Sequence, residues 1–197
     1  AEIIKKHKPG TPIVVGGPHP SIASEELIDD MRVDHIHLGE GEITFPQLVE
    51  DLDAGKPRER IVRGIQADLD ELPFADRELF GGLEEAFVPY LEEPFVTTIA
   101  GRGCLYNCNY CQPAELMIFG KGVRRRSVIH VIRDLKELQE KYKFNSMMIH
   151  DDCLTEDPGW VLEFCREYRQ TPLGKPFVAQ SRADLICKNE PMIREMK

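Results

Sequence analysis

The sequence predicts an α/β protein built on parallel sheets, in two pieces that meet near residue 94. Three observations carry this. Short, β-branched apolar runs alternate with amphipathic helical patterns, and such alternation implies parallel strands covered on both faces. Charge divides the chain, with 21 acidic and 9 basic side chains in residues 1–94 against 13 and 16 in residues 95–197. Residues 58–93 lack periodicity and carry several acids, which reads as a linker or wrapping segment.

Taken in order, "AEIIKKHKPG" reads as the end of an amphipathic helix closed by Lys8, Pro9 and Gly10. "TPIVVGG" is a strand running into glycines, and "SEELIDDMR" a helix with Ser21 or Ser24 as its cap. "DHIHLGEGE" is a second strand, and "ITFPQLVEDLDAG" a helix stopped by Gly55. With two strands and a start inside a helix, residues 1–57 read as the back end of a doubly wound domain whose front lies upstream. "PFVTTIAGRGC" then restarts a strand. Ser127 caps a helix with Val128, Val131, Ile132, Leu135, Leu138 and Tyr142 at helical spacing. "FNSMMIHDD" is a strand, and "DPGWVLEFCREYRQ" a helix with Val161, Phe164, Cys165 and Tyr168 on one face. "PFVAQSRADLI" is a third strand, and a last helix starts near Glu190. Residues 94–197 therefore hold about three βα units, with no internal repeat.

Composition narrows the classes. A hydrophobic content of 42% with 30% charged residues is that of a globular chain. No run of eighteen apolar residues predicts a membrane span, and no charged-then-apolar leader predicts secretion. A net charge of −9 argues against a nucleic-acid partner. Of the six cysteines, three are crowded into one loop while Cys153, Cys165 and Cys187 stand singly. That usage fits a metal site in a reducing, cytoplasmic compartment better than a disulfide framework.

The crowded stretch is "GRGCLYNCNYC", residues 101–111. Thiolates ligate iron or zinc, and Cys104, Cys108 and Cys111 are spaced so that one loop can wrap one face of a metal centre. A closed tetrahedral site needs a fourth ligand. A structural zinc would take a histidine such as His130 or His150, but zinc loops usually pair two cysteine elements, and there is no second pair. C-x3-C-x2-C, with Tyr110 before the third cysteine and a strand before the first, resembles the radical S-adenosylmethionine superfamily. The resemblance implies that Cys104, Cys108 and Cys111 hold a 4Fe–4S cluster with one iron open, and that S-adenosylmethionine chelates that iron beside Tyr110. Reduction, from a donor such as flavodoxin or ferredoxin, would then release a 5′-deoxyadenosyl radical.

"VVGGPHPS" and "DHIHLGEGE" together resemble the latter half of the cobalamin-binding domain that precedes the radical domain in one large subfamily. By that resemblance Gly16, Gly17, His19, Gly39, Glu40, Gly41 and Glu42 border the cofactor's nucleotide tail. The subfamily's earlier motif, where some members place a cobalt-ligating histidine, would lie before Ala1. "DLDELPFADREL" also fits the subfamily, as does "VRRRS", whose Arg124, Arg126 and Ser127 match an Arg-x-Arg-Ser-Pro pattern with Val128 in place of proline. The same run reads equally as a solvated basic surface before a helix.

Carboxyl ends of parallel strands face the active site in βα folds. Asp151 and Asp152 in "MIHDDCL" are therefore candidates for the cofactor's ammonium or ribose groups, against capping and loop solvation. Gln180, Ser181 and Arg182 in "AQSRADL" are candidates for its carboxylate, against a salt bridge at the rim for Arg182. Cys165 reads as core, Cys187 as structural or incidental, and Cys153 as near the strand ends. His35 and His37 share a strand face, yet two histidines without carboxylates are weak grounds for a metal.

The resemblance thus implies the C-terminal part of a doubly wound cobalamin-binding domain (1–57), a linker (58–93) and the first half of a partial (β/α) radical S-adenosylmethionine barrel (94–197). The implied activity is methylation or rearrangement of an unactivated carbon of a small-molecule substrate. One rival is a methylthiotransferase acting on tRNA or a ribosomal protein, whose relatives carry N-terminal cysteines where residues 1–94 have none. Another is a non-catalytic metal or cobalamin carrier.

Overall fold

The computed structural model describes residues 1–81, 90–108, 111 and 113–197. The chain divides into two units, Ala1–Leu72 with Gly103–Gly122, and Pro73–Arg102 with Val123–Lys197.

The first unit runs α1 (Glu2–His7), β1 (Val14–Val15), α2 (Pro18–Ile22), α3 (Glu25–Ile28), β2 (His35–Leu38), α4 (Thr44–Asp53) and β3 (Ile61–Arg63), and takes in α5 (Pro113–Phe119). The sheet has the order β1-β2-β3 with parallel pairing throughout; His35 lies opposite Val14, and Ile36 opposite Ile61. Ile36 on the central strand and Leu48 on α4 are fully buried, so the helix covers the sheet through its apolar face. α5 packs on α2.

Two features of this unit depart from the sequence reading. β3 lies inside the stretch read as linker, so the sheet has three strands rather than two. Its three residues end on Arg63 and follow Arg60, too short an apolar run to register a period of two. The helix expected over "SEELIDDMR" shrinks to the four residues of α3, and a separate turn, α2, precedes it. Ser24 sits at the N-cap position without a side-chain cap bond, and Ser21 lies inside α2.

The second unit contains β4 (Phe95–Thr98), β5 (Gly101–Arg102), β6 (Arg124–Arg125), α6 (Val128–Tyr142), β7 (Ser146–Ile149), α7 (Pro158–Arg169), β8 (Phe177–Ala179), α8 (Ala183–Lys188) and α9 (Glu190–Met196). β4, β7 and β8 form a parallel sheet in that order, while β5 and β6 pair as a two-stranded antiparallel ribbon. Caps set the starts of the long helices. The Ser127 hydroxyl accepts the His130 N–H at 3.2 Å, and the Asp157 carboxylate accepts the Trp160 N–H at 3.0 Å. Val128, Val131, Ile132, Leu135 and Leu138 of α6 are buried as their spacing predicts, and Trp160, Val161, Phe164 and Cys165 of α7 join them in one core. Phe164 stacks on Trp160 at 5.4 Å and meets Phe177 edge-on at 5.7 Å, locking α7 to β8. The third strand stops at Ala179, and the "ADLI" that reads as its continuation is helical in α8, with Asp184 in the first turn complementing the helix dipole. Among the described residues no helix is long and apolar enough to cross a membrane.

Core packing of the second unit yields a direct test. Leu135 is fully buried whereas Ile129 on the same helix is 66% exposed. Leu135→Ala should cost about 2–5 kcal/mol. Ile129→Ala should stay within about 0.5 kcal/mol. Urea denaturation followed by Trp160 fluorescence measures both.

Candidate functional site

Every strand of the first sheet runs at its carboxyl end into glycine: Gly16 and Gly17 after β1, Gly39 and Gly41 after β2, Gly64 after β3. Ligands of open α/β sheets bind at this edge. Gly17 (φ 95°) and Gly39 (φ 79°) adopt backbone conformations that a side chain would strain, and a Cβ at either would meet open space. A Cβ at Gly64 would overlap the Glu40 carbonyl oxygen, so only glycine lets β3 close against the loop after β2.

These loops line a cleft of about 360 Å³ bounded by Gly16, Gly17, His37, Gly39, Gly41, Glu42, Phe45 and Pro46. Ser21 ties its two sides together. Its hydroxyl donates to the Gly17 carbonyl at 2.8 Å and accepts the Gly39 N–H at 2.8 Å. His37 is buried in the cleft lining, its Nε2 bonded to the Thr44 hydroxyl at 2.7 Å and its ring edge-on to Phe45. Burial pushes the imidazole pKa below its usual value, with the Glu42 carboxylate opposing. The other strand histidine, His35, bonds the Glu59 carbonyl through Nδ1 at 2.8 Å.

Of the residues expected to border a nucleotide tail, Gly16, Gly17, Gly39, Gly41 and Glu42 line the cleft together. Glu40 is buried beside it under Gly64. His19 stands on α2 outside the lining, exposed and 3.5 Å from Glu26. Sequence reasoning passed over Ser21, which reads as a helix cap, and Gly64, whose signal is a lone glycine after a short β-branched run.

The cysteine loop belongs to the first unit. Cys104 and Cys108 are half-buried and Cys111 is exposed, with the Cys111 N–H turned back to the Cys108 carbonyl at 3.0 Å. Tyr110 lies outside the described residues. Among the described residues no group of three or more His, Cys, Asp or Glu side chains is gathered to hold a metal ion. His130, one candidate fourth zinc ligand, instead accepts the Arg126 Nε–H at 3.0 Å and packs against Phe74. In donor chemistry, three thiols within eight residues of sequence suit an iron–sulfur centre. At the cleft, open backbone and an apolar floor suit the flat, extended face of a large cofactor.

In the second unit the strand ends carry a charged cluster. Asp151 is buried at the end of β7, where its Oδ1 accepts the Ala100 and Gly101 N–H groups at 2.7 and 3.1 Å. Its Oδ2 accepts Arg125 Nη1 at 2.7 Å. Arg125 also donates to Glu156 at 3.0 Å and lies 5.2 Å over the Trp160 ring. Burial raises the Asp151 pKa, while Arg125 and the two amides pull it back down. Asp152 is exposed and has no polar partner among the described residues. Gln180 is exposed with its carbonyl bonded by the Leu154 N–H, Ser181 shares a hydrogen bond with Thr155, and Arg182 pairs with Asp184 at 3.0 Å. Arg126 pairs with Asp134 at 2.8 Å under the Phe74 ring, so the last two side chains of the "RRR" run are anchored.

Residues 1–49 match the B12 binding domain family. The whole chain is 27% identical over 215 residues to an uncharacterized methyltransferase of Pyrococcus horikoshii, of which it covers 45%. It is 23% identical over 221 residues to a cytidylyl-2-hydroxyethylphosphonate methyltransferase of Streptomyces wedmorensis, with 91% of this chain and 41% of the other covered. It is also 32% identical over 143 residues to a protein of Methanocaldococcus jannaschii carrying a methylthiotransferase name, with 68% and 30% covered. The chain spans less than half the length of these curated relatives. The matches support a cobalamin-binding protein related to methyltransferases, and its mixed α/β architecture with parallel sheets agrees.

His37 generates a pH prediction. An unfolded imidazole takes up its proton near pH 6.5, and the folded one does so at lower pH. Between the two values the unfolded state binds more protons, so the first unit should lose stability as pH falls through that window. Amide-exchange protection at Ile36 and Leu38 should drop between pH 7.5 and 5.5, and His37→Gln should flatten the drop.

Proposed function

We propose that this chain is part of a cobalamin-dependent radical S-adenosylmethionine enzyme that methylates or rearranges an unactivated carbon of a small-molecule substrate. The observation that carries this reading is the pairing, in one chain, of a B12 binding domain match over residues 1–49 with the C-x3-C-x2-C loop at Cys104, Cys108 and Cys111. When bound, the cluster and S-adenosylmethionine supply a 5′-deoxyadenosyl radical and cobalamin supplies a methyl carrier. The chain's own part is to bind and orient. The Cys104, Cys108 and Cys111 thiolates would hold the iron of the cluster. The Gly17 and Gly39 loops, stapled by Ser21, would admit cobalamin, and His37, held by its hydrogen bond to Thr44, would border it. Asp152, Gln180 and Arg182 at the strand ends of the second unit offer polar groups to S-adenosylmethionine. Reducing equivalents come from a partner such as flavodoxin or ferredoxin.

A methylthiotransferase is the second reading, favoured by the name of the relative at 32% identity. On that reading a further sulfur-bearing centre would be ligated outside residues 1–94, which contain no cysteine.

Anaerobic reconstitution of the full-length protein should give about four irons and four sulfides per chain. The reduced-state EPR signal should shift on adding S-adenosylmethionine. Replacing any one of Cys104, Cys108 or Cys111 by alanine should remove most of the iron, whereas Cys165→Ala should keep it and cost only packing. Stoichiometric zinc without an iron chromophore would refute the reading. For cobalamin, Gly17→Leu should weaken binding followed by absorbance, because it strains φ and fills open space at the cleft.

A further inference from the structure

The ribbon of β5 and β6 consists of two residue pairs, Gly101 with Arg125 and Arg102 with Arg124. A pairing so short is marginal by itself. Yet the twenty-one residues between its strands, 103–123, include all three clustered cysteines. What fixes the ribbon fixes both ends of that loop.

The fixing group is Asp151. One oxygen gathers the consecutive Ala100 and Gly101 amides where the chain turns from β4 into β5, and the other holds Arg125 of β6. Both strands of the ribbon are thereby tied to the end of β7 through one carboxylate. Arg125 is fastened on its far side as well, to the Cys153 and Leu154 carbonyls at 3.3 and 3.1 Å and to Glu156. Side-chain exposures of 8% for Arg125 and 4% for Asp151 exclude the water that would otherwise compete for these bonds. Gly101 belongs to the same device: a Cβ there would lie 3.0 Å from the Arg124 carbonyl and 3.3 Å from Asp151 Oδ2, so a side chain would crowd the carboxylate and the ribbon strand that it holds. Asp151 faces no other charged group than Arg125 among these contacts, and its oxygens are occupied by the protein. Its exposed neighbour Asp152 has the opposite character.

We propose that Asp151 is a positioning residue: clamped by the Ala100 and Gly101 amides and by Arg125, it sets the spacing of the two ends of the cysteine-bearing loop, and it does not itself contact cofactor. The link from loop spacing to metal binding rests on the function proposed above; the clamp itself does not.

Hydrogen–deuterium exchange of the metal-free full-length protein tests the clamp. Asp151→Asn keeps an oxygen for the amides and loses the charge that holds Arg125. Exchange in peptides spanning 99–102 and 123–126 should accelerate about tenfold or more, the scale of one lost charged hydrogen bond. Peptides of α6 should keep wild-type protection, and Asp152→Asn should match wild type everywhere. Gly101→Ala reaches the same clamp while keeping the Asp151 charge, by crowding its carboxylate, and should give the Asp151→Asn pattern. Unchanged exchange in the ribbon, or acceleration of α6 equal to that of the ribbon, overturns the proposal. The second arm uses iron and sulfide. Asp151→Asn should alter the reduced-state EPR line shape at a temperature where the variant is still folded, and an unaltered signal at full iron content refutes the coupling to the loop. Wild-type protein that takes up no iron refutes the proposed function and leaves the exchange result to decide the clamp.

Discussion

Parallel pairing sends every strand of a sheet out at the same edge, and the chain must there satisfy a row of backbone groups that no further strand pairs. Both units face this constraint and meet it by different chemistry. The first unit uses small residues: Gly17 and Gly39 take the positive φ that the turns need, Gly64 lets β3 close against the loop after β2, and the Ser21 hydroxyl serves a carbonyl and an N–H at once. The second unit uses charge: Asp151 collects two amides and Arg125 collects two carbonyls, and the pair is closed by Glu156. An edge finished with glycine stays open, which is what leaves a cleft in the first unit. An edge finished with buried ions is full, which is why its central carboxylate is better suited to holding backbone than to holding ligand.

Burying ions is costly, and the arrangement tolerates it only through saturation. Removing a carboxylate and a guanidinium from water costs several kcal/mol each after relaxation, roughly offset when geometry and additional hydrogen bonds are good. Here Arg125 uses Nε, Nη1 and Nη2, and lies over Trp160, while Asp151 uses both oxygens. The net gain in stability of such a cluster is small. Its consequence is geometric: an ion pair with fixed partners admits one register of the ribbon, where an apolar contact would admit neighbouring ones. Arg126 repeats the pattern one residue on, bonding Asp134 and the Ile99 carbonyl while Phe74 covers it.

The legible parts of the sequence were those where a period repeats or a cap has a side-chain signature. α6 and α7 show their buried stripes over several turns and begin with Ser127 and Asp157, so spacing alone located them. β3 and α8 escaped for the opposite reason, since three or six residues do not establish a period and "VAQSRADLI" suits either state. Glycine pairs announced the cleft but not its staple, because a hydroxyl between two loops is decided by tertiary proximity. Arg125 was hidden in plain view: three consecutive arginines read as solvated charge, and only the fold brings Asp151, twenty-six residues on, to meet the middle one.

The cysteine loop shows how far local spacing reaches. Its donor types and their separation are written in eight residues, and no tertiary knowledge is needed to read them. Where the loop begins and ends is written elsewhere. At its base Gly103 (φ 93°) lies so close against the Gly122 carbonyl that a Cβ would overlap it, and just outside stands the ribbon held by Asp151. A loop of this length closed by flexible ends would cost little to form and would sample many spans. Closing it with two glycines in contact and a buried carboxylate confines the ends to one span, so the ends of the loop are set by residues that share no motif with the thiols between them.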